Sequence, residues 1–299
     1  MRKFFFTLML LLVSAALVFA EERGKGNEGK DHQDRDDHND SAPTQSGFAV
    51  ITPVAATTSG TTTGLVVFET FGMRGRGDAG TTQAGVLPPD LTTNAVLFVD
   101  SSGRLAKNLG VAIVNPNSTN ANVTLTLRKN DGTQVATTTV NVPSHQQTSK
   151  FFRDLFSAPS TIPVELTGTL AITSAGSSNL PVSVVGLRFR GSNFSTLPIT
   201  NLSGNAGSLP FLDSANTIGG AGAILLPQFA AGGGWATEVV LMNTGTSSLT
   251  VRVDLFKPDG TPLSAALNGQ TANSFTNLTI PAGGVLTLAP RNLAGDDDF

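Results

Sequence analysis

Apolar and polar residues alternate along Val123-Thr-Leu-Thr-Leu-Arg128. A period of two places Val123, Leu125 and Leu127 on one face of a strand and Thr124, Thr126 and Arg128 on the other. The stretch runs into Asp131-Gly132, where glycine accepts the positive φ of a tight hairpin. The same pattern returns at Val251, Val253 and Leu255, ahead of Asp259-Gly260. Two half-buried antiparallel hairpins are therefore predicted. The segments around them are copies: Ala95 maps onto Ala223, Asn115 onto Asn243 and Gly132 onto Gly260, each at an offset of 128. A repeat this regular argues for modules in tandem.

Further strands follow from the same reading. In the first copy they are 95–99, 109–115, 122–128, 134–142, 164–173 and 181–189, the content of an immunoglobulin-like or fibronectin III-like sandwich without the Cys and Trp landmarks of antibody domains. In the second they are 223–229, 238–243, 271–280 and 285–288. Lys150–Phe156 is the one helical hint, a turn or two long. The predicted fold is thus all-β, with two antiparallel β-sandwich modules at 90–205 and 215–292, the second holding only the front half of the pattern.

The missing half has a counterpart upstream. Phe48-Ala-Val-Ile-Thr52 resembles Thr169-Leu-Ala-Ile-Thr173, and 64–71 resembles 183–190. A front half alone leaves open strand edges and an apolar face, which folded chains avoid. Residues 48–89 are therefore expected to complete the C-terminal module, either within one chain or by strand exchange between copies.

The chain has 299 residues, 14% of them charged, with no Cys, no Tyr, one Trp, three His and 32 Gly. Its length corresponds to about two domains at ~100–200 residues each. Residues 1–20 read as a secretory signal peptide: Arg2 and Lys3 precede an apolar core that ends at Val18-Phe19-Ala20. The expected address is secreted, extracellular or periplasmic and cell-surface, with membrane contact only through this segment if it stays uncleaved. Residues 21–47 carry four basic and eight acidic side chains and almost nothing apolar, and read as a disordered linker. Residues 293–299 are an acidic tail. Without Arg2 and Lys3 the net charge moves from −3 to −5, and the linker and tail account for −4 and −3 of it. The body at 48–295 is near neutral at +2, with no Lys/Arg run among aromatics, so no nucleic-acid partner is expected.

Candidate chemistry is sparse. His32 and His38 in the acidic run lack the spacing of a calcium or zinc site, and no metal or cofactor is expected. His145 is the one His of the body and lies in a turn-like Pro143-Ser-His-Gln-Gln, away from any Gly-x-Ser-x-Gly elbow. Glu165, Asp213, Glu238 and Asp254 are the carboxylates from which a glycosidase pair could be drawn, but nothing in their spacing puts two about a cleft. No catalytic residue is assigned, and the chain is read as non-enzymatic. Two surface features remain. Arg76-Gly77-Asp78 is an adhesive tripeptide in a loop. Trp235, after Gly232-Gly-Gly, either covers the end of the core, the favoured reading, or forms a sugar-stacking platform.

The stretch Leu226-Pro-Gln-Phe-Ala-Ala-Gly-Gly-Gly-Trp-Ala-Thr237, followed by Leu241-Met-Asn243 and Pro258-Asp-Gly-Thr261, resembles a tandem Ig-like β-sandwich repeat of uncharacterised secreted bacterial proteins. The resemblance implies that architecture and no catalytic residues. The first copy departs from it, with Val99-Asp100 for Pro-Gln and Lys107 where Trp235 stands. The expected role is a structural or adhesive protein of the bacterial envelope or extracellular space. Its expected partners are a cell-surface or glycan ligand and a second copy of itself.

Overall fold

The structure is a computed structural model that describes residues 47–51, 66–74, 81–174, 180–202, 223–232 and 235–291. The signal peptide, the linker up to residue 46, Arg76-Gly77-Asp78, Asp213 and the acidic tail lie outside the described residues. The fold is all-β and antiparallel throughout. A hairpin of β1 (Glu69–Arg74) and β2 (Thr81–Val86) comes first. It is followed by β3 (Asn94–Ser101), β4 (Lys107–Val114), β5 (Ala121–Lys129), β6 (Gln134–Val142) and β7 (Gln147–Phe151). After two single-turn 3-10 helices come β8 (Leu166–Ser174), β9 (Ser183–Arg190), β10 (Asn193–Leu197) and β11 (Thr200–Asn201).

From β3 onward these strands form two sheets, ordered β11-β3-β8-β5-β6 and β10-β9-β4-β7. The sheets share one core, as in a β-sandwich. Val123, Leu125 and Leu127 of β5 meet Leu170 and Ile172 of β8 and Leu109, Val111 and Ile113 of β4, all buried. Each such side chain contributes about 1.5–3 kcal/mol on leaving water. On the other face of β5, Thr124 and Thr126 stand opposite Thr139 and Thr137 of β6, as the alternation requires. The helical hint shrinks to one 3-10 turn, Phe152–Leu155, which plugs the core with Phe152 and Leu155.

The C-terminal region carries β12 (Val239–Met242), β13 (Leu249–Asp254), β14 (Ala265–Leu267), β15 (Gln270–Ala272), β16 (Ser274–Ile280) and β17 (Val285–Leu288). They pair as β12-β17, β13-β16 and β14-β15 around a smaller core of Val239, Leu255, Leu267, Phe275 and Leu288. The repeat holds down to single hydrogen bonds. Asn115 Nδ2 donates to Thr119 O (2.8 Å) and Val142 O (3.0 Å), and Asn243 Nδ2 donates to Ser247 O (2.7 Å) and Ile280 O (3.0 Å). The Asp-Gly turns match as well. Thr133 N–H donates to Asp131 Oδ1 (2.8 Å), Thr261 N–H donates to Asp259 Oδ1 (2.9 Å), and Gly132 and Gly260 sit at φ 85° and 81°.

Beyond the turn the offset grows from 128 to 138, so Val142 answers Ile280 and Pro143 answers Pro281. The ten extra residues hold most of the β14–β15 hairpin, whose Asn268-Gly269 is a strong two-residue turn signal. Both residues have positive φ, 50° and 79°.

One expectation is corrected by the described residues. Residues 223–229 form no strand, and Ile224, Leu225 and Leu226 are exposed. Among the described residues of the single chain, the β1–β2 hairpin packs elsewhere than on the C-terminal strands. It lies along β10, with Thr82 Oγ1 donating to Asn193 Oδ1 (3.1 Å) and Thr196 Oγ1 donating to Gly85 O (2.9 Å). Gly191, at φ 59°, turns the chain from β9 into β10, and β10 extends that sheet toward the hairpin. Phe48, Val50 and Ile51 lie outside any strand and are exposed.

The two regions touch at the turn after β16. Val285 N–H donates to Asn130 O (2.9 Å), and Thr169 Oγ1 donates to Gly283 O (3.2 Å). Gly132 permits the approach, because a Cβ there would stand 2.0 Å from Ala282 O.

Candidate functional site

The loop from Ala230 to Thr237 closes on itself. Gly232 N–H donates to Trp235 O (2.9 Å), and Trp235 N–H donates to Gly232 O (3.0 Å). Gly232 supplies the positive φ of 86° that this closure needs. One step further in, Thr237 Oγ1 accepts from Ala230 N–H and donates to Ala230 O, at 3.0 and 2.9 Å. Phe229 anchors the base of the loop against the C-terminal core. Since Phe229 takes that place, the indole does not. Trp235 is 73% exposed, which overturns the reading of it as a core cover.

Three residues past the indole begins a charge cluster that spans the two regions. Arg188 of β9 donates from Nη1 to Glu238 Oε2 (2.8 Å) and from Nη2 to Asp100 Oδ2 (2.7 Å). Lys107 Nζ stands 2.9 Å from the same Asp100 oxygen. Lys107, Glu238 and Asp100 side chains are nearly sealed from solvent, and Arg188 lies over the Phe98 ring. Burial alone would lower the Arg188 pKa, but Glu238 and then Asp100 hold it above the ordinary arginine value. The guanidinium is therefore permanently charged, and two cations balance two anions. Truncating one member of such a buried set costs about 3–5 kcal/mol, since it strands the others.

Beside the cluster is a polar cleft of about 290 Å³ lined by Asp100, Asn130, Glu238, Asn268, Thr287 and Arg291. Its groups are tied to one another. Asn268 Oδ1 accepts from Ala289 N–H and Arg291 Nε, and Asn268 Nδ2 donates to Thr287 O. A larger cleft of about 490 Å³ lies between Gly85–Asp90 and β9–β10, with Leu87, Pro88, Leu197 and Ile199 on its wall.

The other singled-out residues are dispersed. His145 is exposed in its turn at φ 54°. Glu165 accepts from Gly103 N–H (3.0 Å) and Arg104 N–H (3.4 Å), and hydrogen bonding from Ser102 first, then these amides, holds its pKa below the ordinary glutamate value. Asp254 accepts from Ser274 Oγ (2.6 Å) and Arg252 Nε (2.8 Å). Glu238 alone reaches a second carboxylate, Asp100, with Arg188 between them. The sequence could have flagged Asp100 and Lys107 only as charges within apolar strands. Among the described residues no group of three His, Asp or Glu side chains converges as metal ligands, and no helix is long and apolar enough to cross a membrane.

No family model and no curated protein matches the chain. Among solved structures it is similar to an Anabaena sensory rhodopsin transducer, at 21% identity over 33% of this chain and 97% of that one, with a TM-score of 0.28. A likeness at that score carries no argument about fold or function.

Proposed function

We propose that the chain is a secreted, non-enzymatic structural or adhesive protein of the bacterial envelope or extracellular space, built from two Ig-like modules of which the second is incomplete. The observation that carries this reading is the presentation of Trp235. A loop closed by four hydrogen bonds holds a large aromatic side chain in solvent, and its apolar anchor, Phe229, is a different residue. Exposed large apolar groups on rigid turns mark contact surfaces for another molecule. Ile224, Leu225 and Leu226, on the same segment, are exposed as well. The leader-like residues 1–20 supply the address.

The same exposure favours a second reading, a carbohydrate-binding module in which sugar rings stack on the indole. A glycan array probed with wild type and Trp235→Ala separates the two. Binding present in wild type and lost in the variant establishes the carbohydrate reading. Binding to bacterial or host surfaces that persists in the variant sinks the assignment of Trp235 as the contact. As a surface change, Trp235→Ala should alter stability by no more than about 0.5 kcal/mol.

A further inference from the structure

Among the described residues the second copy has no strand where the first has one. In the first copy β5 pairs with β6 on one side and β8 on the other. β13 and β16 reproduce the first part of the β5–β6 pair: Leu249↔Ile280 and Val251↔Leu278 answer Ala121↔Val142 and Val123↔Val140, after which a bulge brings Val253 opposite Phe275. Among the described residues no strand lies on the other side of β13. Its side chains register the vacancy. Val123 and Leu125 are fully buried, whereas their counterparts Val251 and Val253 are only half-buried, and Leu249 is 49% exposed where Ala121 is sealed.

The strand that fills the lane in the first copy has specific requirements. Gly168 of β8 must be glycine, because a Cβ there would stand 1.9 Å from Arg128 O of β5. Two and four positions on, Leu170 and Ile172 enter the core. Gly47-Phe-Ala-Val-Ile51 has the same order, with Gly47 for Gly168, Ala49 for Leu170 and Ile51 for Ile172. Nothing lies within 4 Å of a Cβ built on Gly47, and Val50 and Ile51 are 76% and 58% exposed. A short segment patterned as a core strand stands in solvent, while no described strand occupies the lane that matches it.

We propose that residues 47–51 of one copy add as a strand to β13 of a second copy, completing its sheet in the manner of β-strand addition. The occupant is a second copy, since in the single chain the segment pairs with nothing among the described residues and the β1–β2 hairpin that follows it in sequence is bound to β10. Carrying over the β5–β8 register sets Ile51 opposite Val253 and Val50 opposite Asp254. Main-chain hydrogen bonds supply attraction, and the glycine and the Ala49/Ile51 pair supply register. Addition of this kind yields a pair where two copies exchange the segment reciprocally and a chain of subunits where each passes it to the next. This deepens the structural reading proposed above and rests on it only for the oxidising address.

The chain has no cysteine, which makes the test direct. Mature Val50→Cys protein is mixed with Asp254→Cys protein and oxidised, alongside a control mixture with Thr137→Cys, an exposed position on the β6 edge. Opposed residues of antiparallel strands lie about 4.5–5.5 Å apart at Cα, within disulfide reach. The proposal expects a disulfide-linked dimer of the two different chains in the first mixture and its loss in the control. Equal yields in the two mixtures overturn it. So does closure of the double variant Val50→Cys/Asp254→Cys within one chain at high dilution, which would make the occupant the chain's own segment. Sedimentation velocity of wild type against Ile51→Asp covers the case of a misfolded Asp254→Cys: self-association in wild type must disappear, and persistence counts against the strand. These measurements need no external ligand, so their failure leaves the adhesive reading intact, and failure of glycan or surface binding leaves the strand intact.

Discussion

The duplicated Asp-Gly turn offers an internal control for the contact between the two regions. Gly132 and Gly260 have nearly the same φ, 85° and 81°, in turns with the same hydrogen bonds. Alanine at either position meets the left-handed backbone penalty of about 1–2 kcal/mol. It also gains the same small benefit from a less entropic unfolded chain. Only the surroundings differ. A Cβ at Gly260 meets nothing within 4 Å, whereas at Gly132 it stands 2.0 Å from Ala282 O. Relief of that clash needs a retreat of about 1 Å by the β16–β17 turn, enough to break the 2.9 Å bond from Val285 N–H to Asn130 O and loosen Thr169–Gly283. Each such bond is worth about 0.5–1.5 kcal/mol. Gly260→Ala should thus cost about 1–2 kcal/mol and Gly132→Ala about 2–5. Urea unfolding gives the two costs, and amide exchange at Val285 reads the contact. Equal costs, with the Val285 amide equally protected in both variants, would refute the reasoning.

Three further outcomes follow from the same geometry. Arg188→Met strands the buried carboxylates of Asp100 and Glu238 and should cost about 3–5 kcal/mol by denaturant unfolding, more than Arg252→Met, whose partner Asp254 is far more accessible. Asn243→Ala leaves Ser247 O and Ile280 O without their donor and should cost about 2–4 kcal/mol; Asn115→Ala, with the same two roles, should cost at least as much, which thermal unfolding can compare. Asp131 and Asp259 have pKa values below the ordinary aspartate value, through the backbone N–H of Thr133 in the first and the hydroxyl of Thr261 in the second. A depressed folded-state pKa adds stability above the unfolded value and loses it as pH falls through the folded one. Stability should therefore drop below about pH 4, the region of unfolded aspartate. The double variant Asp131→Asn/Asp259→Asn should flatten that drop in an acid titration.

What the sequence made legible was whatever repeats or alternates. Val123, Leu125 and Leu127 were readable as core because a period of two leaves little choice of face, and the offset of 128 set the register of both hairpins. Asn115 and Asn243 were aligned by that offset, but their role was hidden: a buried amide that ties three chain segments has no local pattern. β14–β15 has no alternating run long enough to read, because residues 262–270 lie between the hairpin and the strand expected at 271–280, although Asn268-Gly269 marks their turn. The Asp100–Lys107–Arg188–Glu238 cluster was out of reach for a different reason. Its members are up to 138 residues apart and sit in apolar strands, so only the packing of two regions brings them together. Trp235 was misjudged because aromatic residues beside a core usually enter it, and nothing in Gly-Gly-Gly-Trp reveals that Phe229 already has.

The proposed strand addition puts this protein's contact with its own kind at the β13 edge. Amide hydrogen exchange along β13 tests it most directly. Thr250, Arg252 and Asp254 correspond to Asn122, Thr124 and Thr126, whose strand pairs with β8. At high dilution the β13 amides should exchange much faster than those of β5, and they should become protected as the protein is concentrated, with protection lost in Ile51→Asp. Protection at high dilution equal to that of β5, or no change with concentration, would contradict it.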